Sequence, residues 1–174
     1  MSRLYNVLFI CTGNSARSIL AESILRKDGA GRFQAFSAGS RPSGAVNPFA
    51  LKTMAANDYP TRGFRSKLWN EFAGPHVPQM DFVFTVCDSA ARESCPVWPG
   101  RPAAAHWGVE DPAAARGTDV EKEAAFNAAF CKLKDCIAAF IALPFDSMDE
   151  QALASRLREI GRMEGATSNP AKAN

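Results

Sequence analysis

An α/β fold, with a parallel sheet covered by helices on both faces, is what this 174-residue sequence predicts. Three observations lead there. Apolar strand-like runs alternate with helix-like runs along the chain, the pattern of parallel strands joined by crossover helices. The first strand runs straight into a small-residue loop and then a helix, and doubly wound sheets bind ligands at such strand ends. A later run, Asp81-Phe82-Val83-Phe84-Thr85-Val86, is apolar and β-branched without strict alternation, as a strand buried on both faces must be. The length suits one domain with a sizeable core, and no internal repeat appears.

Tyr5 to Ile10 forms the first strand, and a helix is expected from about 17 to 27. Phe33 to Ser37 is a short second strand ending in Ala38-Gly39-Ser40, and Arg41-Pro42-Ser43-Gly44 is turn chemistry. Asn47 as N-cap and Pro48 at the first position start a helix that runs to about Asn57. Ser66 is read as the cap of a short helix over 67–73, before the loop Gly74-Pro75-His76-Val77-Pro78. After the 81–86 strand, residues 87–101 read as an exposed loop or short helix, and 104–109 as the last strand. Asp119 to Leu143 carries an apolar stripe that includes Phe126, Phe130, Leu133, Ile137 and Phe140, and Pro144 ends that helix. A final helix over 149–161 is expected, capped by Asp146 or Ser147. The domain therefore spans 1–162, with 144–162 a helical extension and 163–174 a disordered tail. The overall expectation is a flavodoxin-like, doubly wound sheet of about four strands.

Composition removes several function classes. A net charge of +2 is too small to argue for nucleic acid or a membrane surface as partner. No stretch reaches the about 18 apolar residues of a membrane span, and the start carries no secretory signal, so the cytoplasm is the expected compartment. The five cysteines (Cys11, Cys87, Cys95, Cys131, Cys136) include no C-x-x-C pair and no Cys/His pair at zinc spacing, so no metal is expected. In a reducing compartment such thiols are catalytic, redox-active or simply buried. Cys131 and Cys136 lie on different sides of the long helix and are read as core packing.

The chemistry sits in Cys11-Thr12-Gly13-Asn14-Ser15-Ala16-Arg17-Ser18. Thr12, Gly13, Ser15 and Ala16 are small enough for the loop to curl and turn successive backbone N–H groups inward. The helix that follows adds its positive end, and Arg17 adds a planar fork suited to two oxygens of one anion. Thr12 to Arg17 is thus the expected oxyanion cradle. The same surroundings should lower the Cys11 pKa and make it a thiolate nucleophile at neutral pH. Cys87 follows a parallel strand that ends on the same sheet edge, so its thiol can approach Cys11. Asp111 precedes Pro112, ordinary turn chemistry that gains catalytic weight only beside the Cys-Arg loop.

Cys-x5-Arg-Ser in this setting resembles the low-molecular-weight protein tyrosine phosphatase superfamily. Further motifs are similar to its thioredoxin-coupled arsenate reductase branch. They are Ser37-Ala38-Gly39, Val83-Phe84-Thr85-Val86-Cys87-Asp88, Cys95-Pro96 and His106-Trp107-Gly108-Val109-Glu110-Asp111-Pro112. The resemblance implies that Cys11 attacks arsenate held by the loop amides and Arg17, with Asp111 as general acid and Ser18 steadying the Cys11 thiolate. It further implies that Cys87 attacks Cys11, that Cys95 resolves the bond, and that thioredoxin or a glutaredoxin-type protein reduces the Cys87–Cys95 disulfide. No cofactor is implied. Some relatives hold potassium beneath the loop at positions matching Asn14, Glu22 and Ser37. Here Arg65-Ser66-Lys67-Leu68 stands where the remaining aspartate would be, so the Lys67 ammonium is expected to replace the ion near Glu22 and Asn14.

Two other readings share the loop. A phosphotyrosine phosphatase, working through a Cys11 phosphocysteine, needs only one reactive cysteine. Such relatives place tyrosines after the Asp-Pro pair, where this chain has Ala113-Ala114-Ala115-Arg116. A binding protein without turnover would need neither the nucleophile nor the acid.

Overall fold

The computed structural model describes residues 3–93, 95–163 and 166–167. Four parallel strands form the main sheet in the order β2-β1-β3-β4: β1 Tyr5–Cys11, β2 Phe33–Gly39, β3 Phe82–Thr85 and β4 Ala103–His106. This is the expected doubly wound arrangement. Val7, Leu8, Phe9 and Ile10 are each fully buried. Successive strand side chains point to opposite faces, so both faces of β1 are covered. The register sets Cys11 beside Gly39 and Thr85 beside His106. The ends of β1, β3 and β4 thereby share one edge.

Helices α1 (Arg17–Asp28), α2 (Pro48–Ala56), α3 (Asp88–Arg92), α4 (Asp119–Ile141) and α5 (Glu150–Ile160) complete the layers. Asn47 caps α2 as its sequence signals, accepting a hydrogen bond from the Phe49 N–H. The core is strongly aromatic. Trp107 stacks on Phe84 with centroids 3.7 Å apart, and Phe140 meets both rings edge-on. Trp107 is completely buried, and its indole N–H donates to the carbonyl of Leu157 in α5. The C-terminal extension is thus fastened to the sheet through the ring that most needs a polar partner.

Several boundaries differ from expectation. Ser66 caps no helix: only a 3₁₀ turn forms, at Trp69–Phe72, and Leu68 precedes it. The cap of α5 is Asp149, which accepts from the Ala152 N–H, while 145–147 form a separate 3₁₀ turn. The run 104–109 divides. Its first part is β4, while β5 (Gly108–Val109) pairs antiparallel with β6 (Ala166–Thr167). That pairing was not anticipated. The rest of the tail expected to be disordered, residues 164–165 and 168–174, lies outside the described residues. Cys136 is buried as expected, but Cys131 is exposed. Among the described residues no helix is long and apolar enough to cross a membrane.

Candidate active site

The loop from Thr12 to Ala16 is held from outside by its carbonyl groups. Ser40, Arg41, Ser43 and Asn47 donate backbone N–H groups to the carbonyls of Cys11, Thr12, Gly13 and Ser15. Ser66 Oγ donates to the Gly13 carbonyl at 3.0 Å and accepts from the Gly44 N–H. With the carbonyls anchored outward, the amides of Gly13 to Arg17 have no acceptor among the described residues. They are left as an inward nest suited to a tetrahedral anion. Gly39 makes the approach possible, because a Cβ there would lie 2.4 Å from the Thr12 carbonyl oxygen. Asn14 takes the left-handed conformation, with φ 45°, and is fully buried. Its side-chain amide donates to Ser18 Oγ at 2.8 Å and Ser37 Oγ at 3.0 Å. Ser18 therefore accepts from Asn14, and its own proton must point elsewhere.

Arg17 is brought to the mouth of this nest by the first turn of α1. One guanidinium nitrogen donates to the Val109 carbonyl at 2.8 Å, and another lies 3.7 Å from Asp111 Oδ2. Its Nε is buried and has no hydrogen-bond acceptor among the described residues. Asp111 is half-exposed, and its Oδ1 accepts from the Ala113 N–H. The placing of Asp111 thus depends on β5, whose Val109 carbonyl anchors the same guanidinium. Main-chain anchors of this kind leave no signature in a sequence.

Cys87 follows β3 and caps α3, accepting from the Ala90 N–H at 3.4 Å; its sulfur also lies 3.4 Å from Thr12 Oγ1. Its sulfur interacts with that of Cys11, so the two thiols titrate as a pair. The hydrogen bond to Cys87 and burial push Cys11 up, against the pull of Arg17. The hydrogen bond from Cys11, with those from Thr12 and Ala90, brings Cys87 down to about 5. The thiolate expected at Cys11 therefore belongs to a pair of sulfurs that titrate together. The two shifts together favour a single negative charge shared by the pair at neutral pH.

Cys95 is exposed on the segment after α3, whereas Cys87 is turned inward and buried. Cys131 and Cys136 belong to α4 and take no part in this cluster. Beneath the loop, Ser37 Oγ donates to the buried Glu22 carboxylate. Burial raises the Glu22 pKa, and the charges of Lys67 and Arg26 oppose that rise. It is the Lys67 main-chain N–H that reaches Asn14, while the ammonium donates to the Arg65 carbonyl. The ammonium therefore acts on Glu22 through its field rather than by contact. Among the described residues no cluster of three or more His, Cys, Asp or Glu side chains could hold a metal ion. Beside Asp111 lies a cavity of about 200 Å³ whose lining includes Ala114, Ala115, Ala125 and Lys132 and contains no aromatic residue.

Residues 6–153 match the low molecular weight phosphotyrosine protein phosphatase family. An arsenate reductase of Oceanobacillus iheyensis is 36% identical over 134 residues, covering 77% of this chain and 93% of that protein. An arsenate reductase of Bacillus subtilis is 35% identical over 121 residues, covering 70% and 84%. Among solved structures, an arsenate reductase in the phosphate binding state superposes with a TM-score of 0.61 at 25% identity, covering 79% of this chain and 97% of that one. A low molecular weight protein tyrosine phosphatase from T. tengcongensis superposes with a TM-score of 0.60 at 21% identity, covering 75% and 92%, which speaks for the fold alone. A nest of free amides with a paired thiol at its floor thus accompanies clear sequence kinship, and the chain belongs to the low molecular weight phosphotyrosine protein phosphatase family, with arsenate reductases among its relatives.

Proposed function

We propose that this protein reduces arsenate to arsenite through a relay of Cys11, Cys87 and Cys95. The observation that carries the reading is Cys87 against Cys11 at the base of the nest. Ester hydrolysis has no use for a second ionisable thiol there. The amides of residues 13–17 and the free Nε of Arg17 would receive the arsenate oxygens. With the pair already holding a negative charge, moving its one proton from Cys11 to Cys87 makes Cys11 the nucleophile. The proton of Ser18 would steady that thiolate.

Cys11 sulfur then bonds to arsenic while an As–O bond breaks. Asp111 gives its proton to the departing oxygen, which leaves as water; such a donor contributes about 10²–10⁴-fold. Cys87 next passes the proton it took from Cys11 to an oxygen on arsenic, which leaves with the arsenite, and attacks the Cys11 sulfur as a thiolate. The S–S bond forms, the S–As bond breaks, and its electron pair stays on arsenic. Arsenic falls from the +5 to the +3 state as two thiolates become one disulfide. Cys95 attacks Cys87 and releases Cys11 as thiolate, and an external dithiol of the thioredoxin or glutaredoxin type reduces the Cys87–Cys95 bond. The electrons come from thiols, so the scheme needs no bound cofactor. A reductant of this kind fits a cytoplasmic setting.

Phosphate-ester cleavage is expected as a side activity, because Cys11, Arg17 and Asp111 suffice for it. The alanine-walled cavity beside Asp111 offers no ring to stack on a phosphotyrosine, which favours the small inorganic substrate. Cys87→Ser and Cys95→Ser separate the two activities. Each should abolish multiple turnover of arsenate with a dithiol reductant while phosphate-ester cleavage continues. Normal cycling by both variants would refute the relay.

A further inference from the structure

The proposed relay asks something of the segment after β3. Cys87 is 1% exposed and faces the loop, whereas Cys95 is at the surface. A disulfide needs Cα atoms within about 4.4–6.8 Å, and because Cys87 is buried at the start of α3 while Cys95 is exposed beyond its end, joining them asks the segment carrying α3 to rearrange. What holds that segment in the resting state is visible. Asp88, the residue after Cys87, meets His106 Nε2 through its Oδ1 at 2.7 Å. The other ring nitrogen, Nδ1, lies 2.8 Å from Thr85 Oγ1. One neutral tautomer satisfies both ends: Nε2–H donates to Asp88, and Nδ1 accepts from the Thr85 hydroxyl.

The ring itself has little freedom. His106 ends β4 in register with Thr85, and its side chain is only 9% exposed. The next residue, Trp107, donates its backbone N–H to the Thr85 carbonyl at 2.7 Å. From behind, Gly161 presses so close that a Cβ there would sit 2.3 Å from the His106 carbonyl oxygen. A fixed imidazole thus spans from the rigid sheet to the first residue of a five-residue helix. The cysteine scheme alone gives this histidine no task.

We propose that His106 is a positioning residue for the relay: through Asp88 it latches the start of α3 and holds Cys87 against Cys11 until the disulfide is handed to Cys95. The inference rests on the relay reading above. When Cys87 swings outward to Cys95, Asp88 moves with it and the latch opens. The bond therefore stabilises the reduced form over the Cys87–Cys95 disulfide, and removing it should make the disulfide harder to reduce.

The test is the reduction potential of the Cys87–Cys95 couple, measured on the full-length protein against thioredoxin redox buffers. His106→Phe keeps the volume of the ring but neither nitrogen. It should shift the equilibrium about tenfold toward disulfide, about 30 mV more negative. His106→Gln keeps a donor for Asp88 and should restore most of the wild-type value. Asp88→Ala opens the latch from its other end and serves if the buried Phe variant fails to fold. Where both fold, the double variant should shift no further than either single one, the non-additivity expected of direct partners. Phosphate-ester cleavage by His106→Phe should match wild type. An unchanged potential in His106→Phe or Asp88→Ala, additive shifts, or loss of phosphate-ester cleavage would each overturn the latch. A wild-type protein that forms no Cys87–Cys95 disulfide after arsenate treatment would overturn the relay and the latch together, whereas a normal wild type beside unshifted variants would sink the latch alone.

Discussion

At Cys11 the charge of Arg17 favours the thiolate, while burial and the neighbouring Cys87 sulfur oppose it. Removing Cys87 removes the largest opposing influence and leaves Arg17 in place. In Cys87→Ser the Cys11 pKa should therefore fall, and the acid limb of kcat/KM for phosphate-ester cleavage should move to lower pH. A limb that stays put or moves upward would contradict the shared-proton account. Cys11 and Arg17 were legible as candidates because they share one local pattern, and Asp111 because it sits in a motif that the resemblance carries. The sequence could not show that Cys11 and Cys87 share one charge, since that depends on sulfurs 76 residues apart meeting across the sheet edge. His106 stood in a recognised motif, yet its partners Thr85 and Asp88 emerge only from strand register. Lys67 stands in the expected neighbourhood, but its main-chain N–H rather than its ammonium meets Asn14.

Elements with local signals were the most legible. Asn47-Pro48 announced α2 because capping is settled within a few residues. Ser66 misled for the same reason: a serine before a short helix looks like a cap, whereas its partner Gly13 is 53 residues away. The run 104–109 read as one strand, and its first half is one. Trp107 and Val109 still donate to the carbonyls of Thr85 and Val86, but β5 takes its own partner in β6. The close contact between the end of β2 and the anion loop can be probed directly. Gly39→Ala would set a methyl against the Thr12 carbonyl and should cost about 1–3 kcal/mol of stability through overpacking. Thermal denaturation should show the loss, together with weaker competitive inhibition by phosphate as the nest deforms. A variant matching wild type in both would mean that the loop tolerates the added carbon.

Across the whole molecule, the C-terminal extension acts as a buttress. No motif in 144–174 hinted at it, because its role comes from packing rather than chemistry. α5 packs against β4, the edge strand of the main sheet. Its Leu157 is fully buried and offers its carbonyl to Trp107, next to His106 and on the approach to β5 and Asp111. Leu157→Ala should cost about 2–5 kcal/mol, read as a lower denaturant midpoint. A midpoint equal to wild type would show that the extension merely rests on the sheet.

Whether the electrons come from the protein's own thiols is tested most directly by a single turnover without external reductant. Fully reduced protein mixed with excess arsenate should release one arsenite per chain and stop, with Cys87 joined to Cys95 by mass mapping and Cys11 free again. No arsenite, or arsenite released with Cys87 and Cys95 still reduced, would contradict the account.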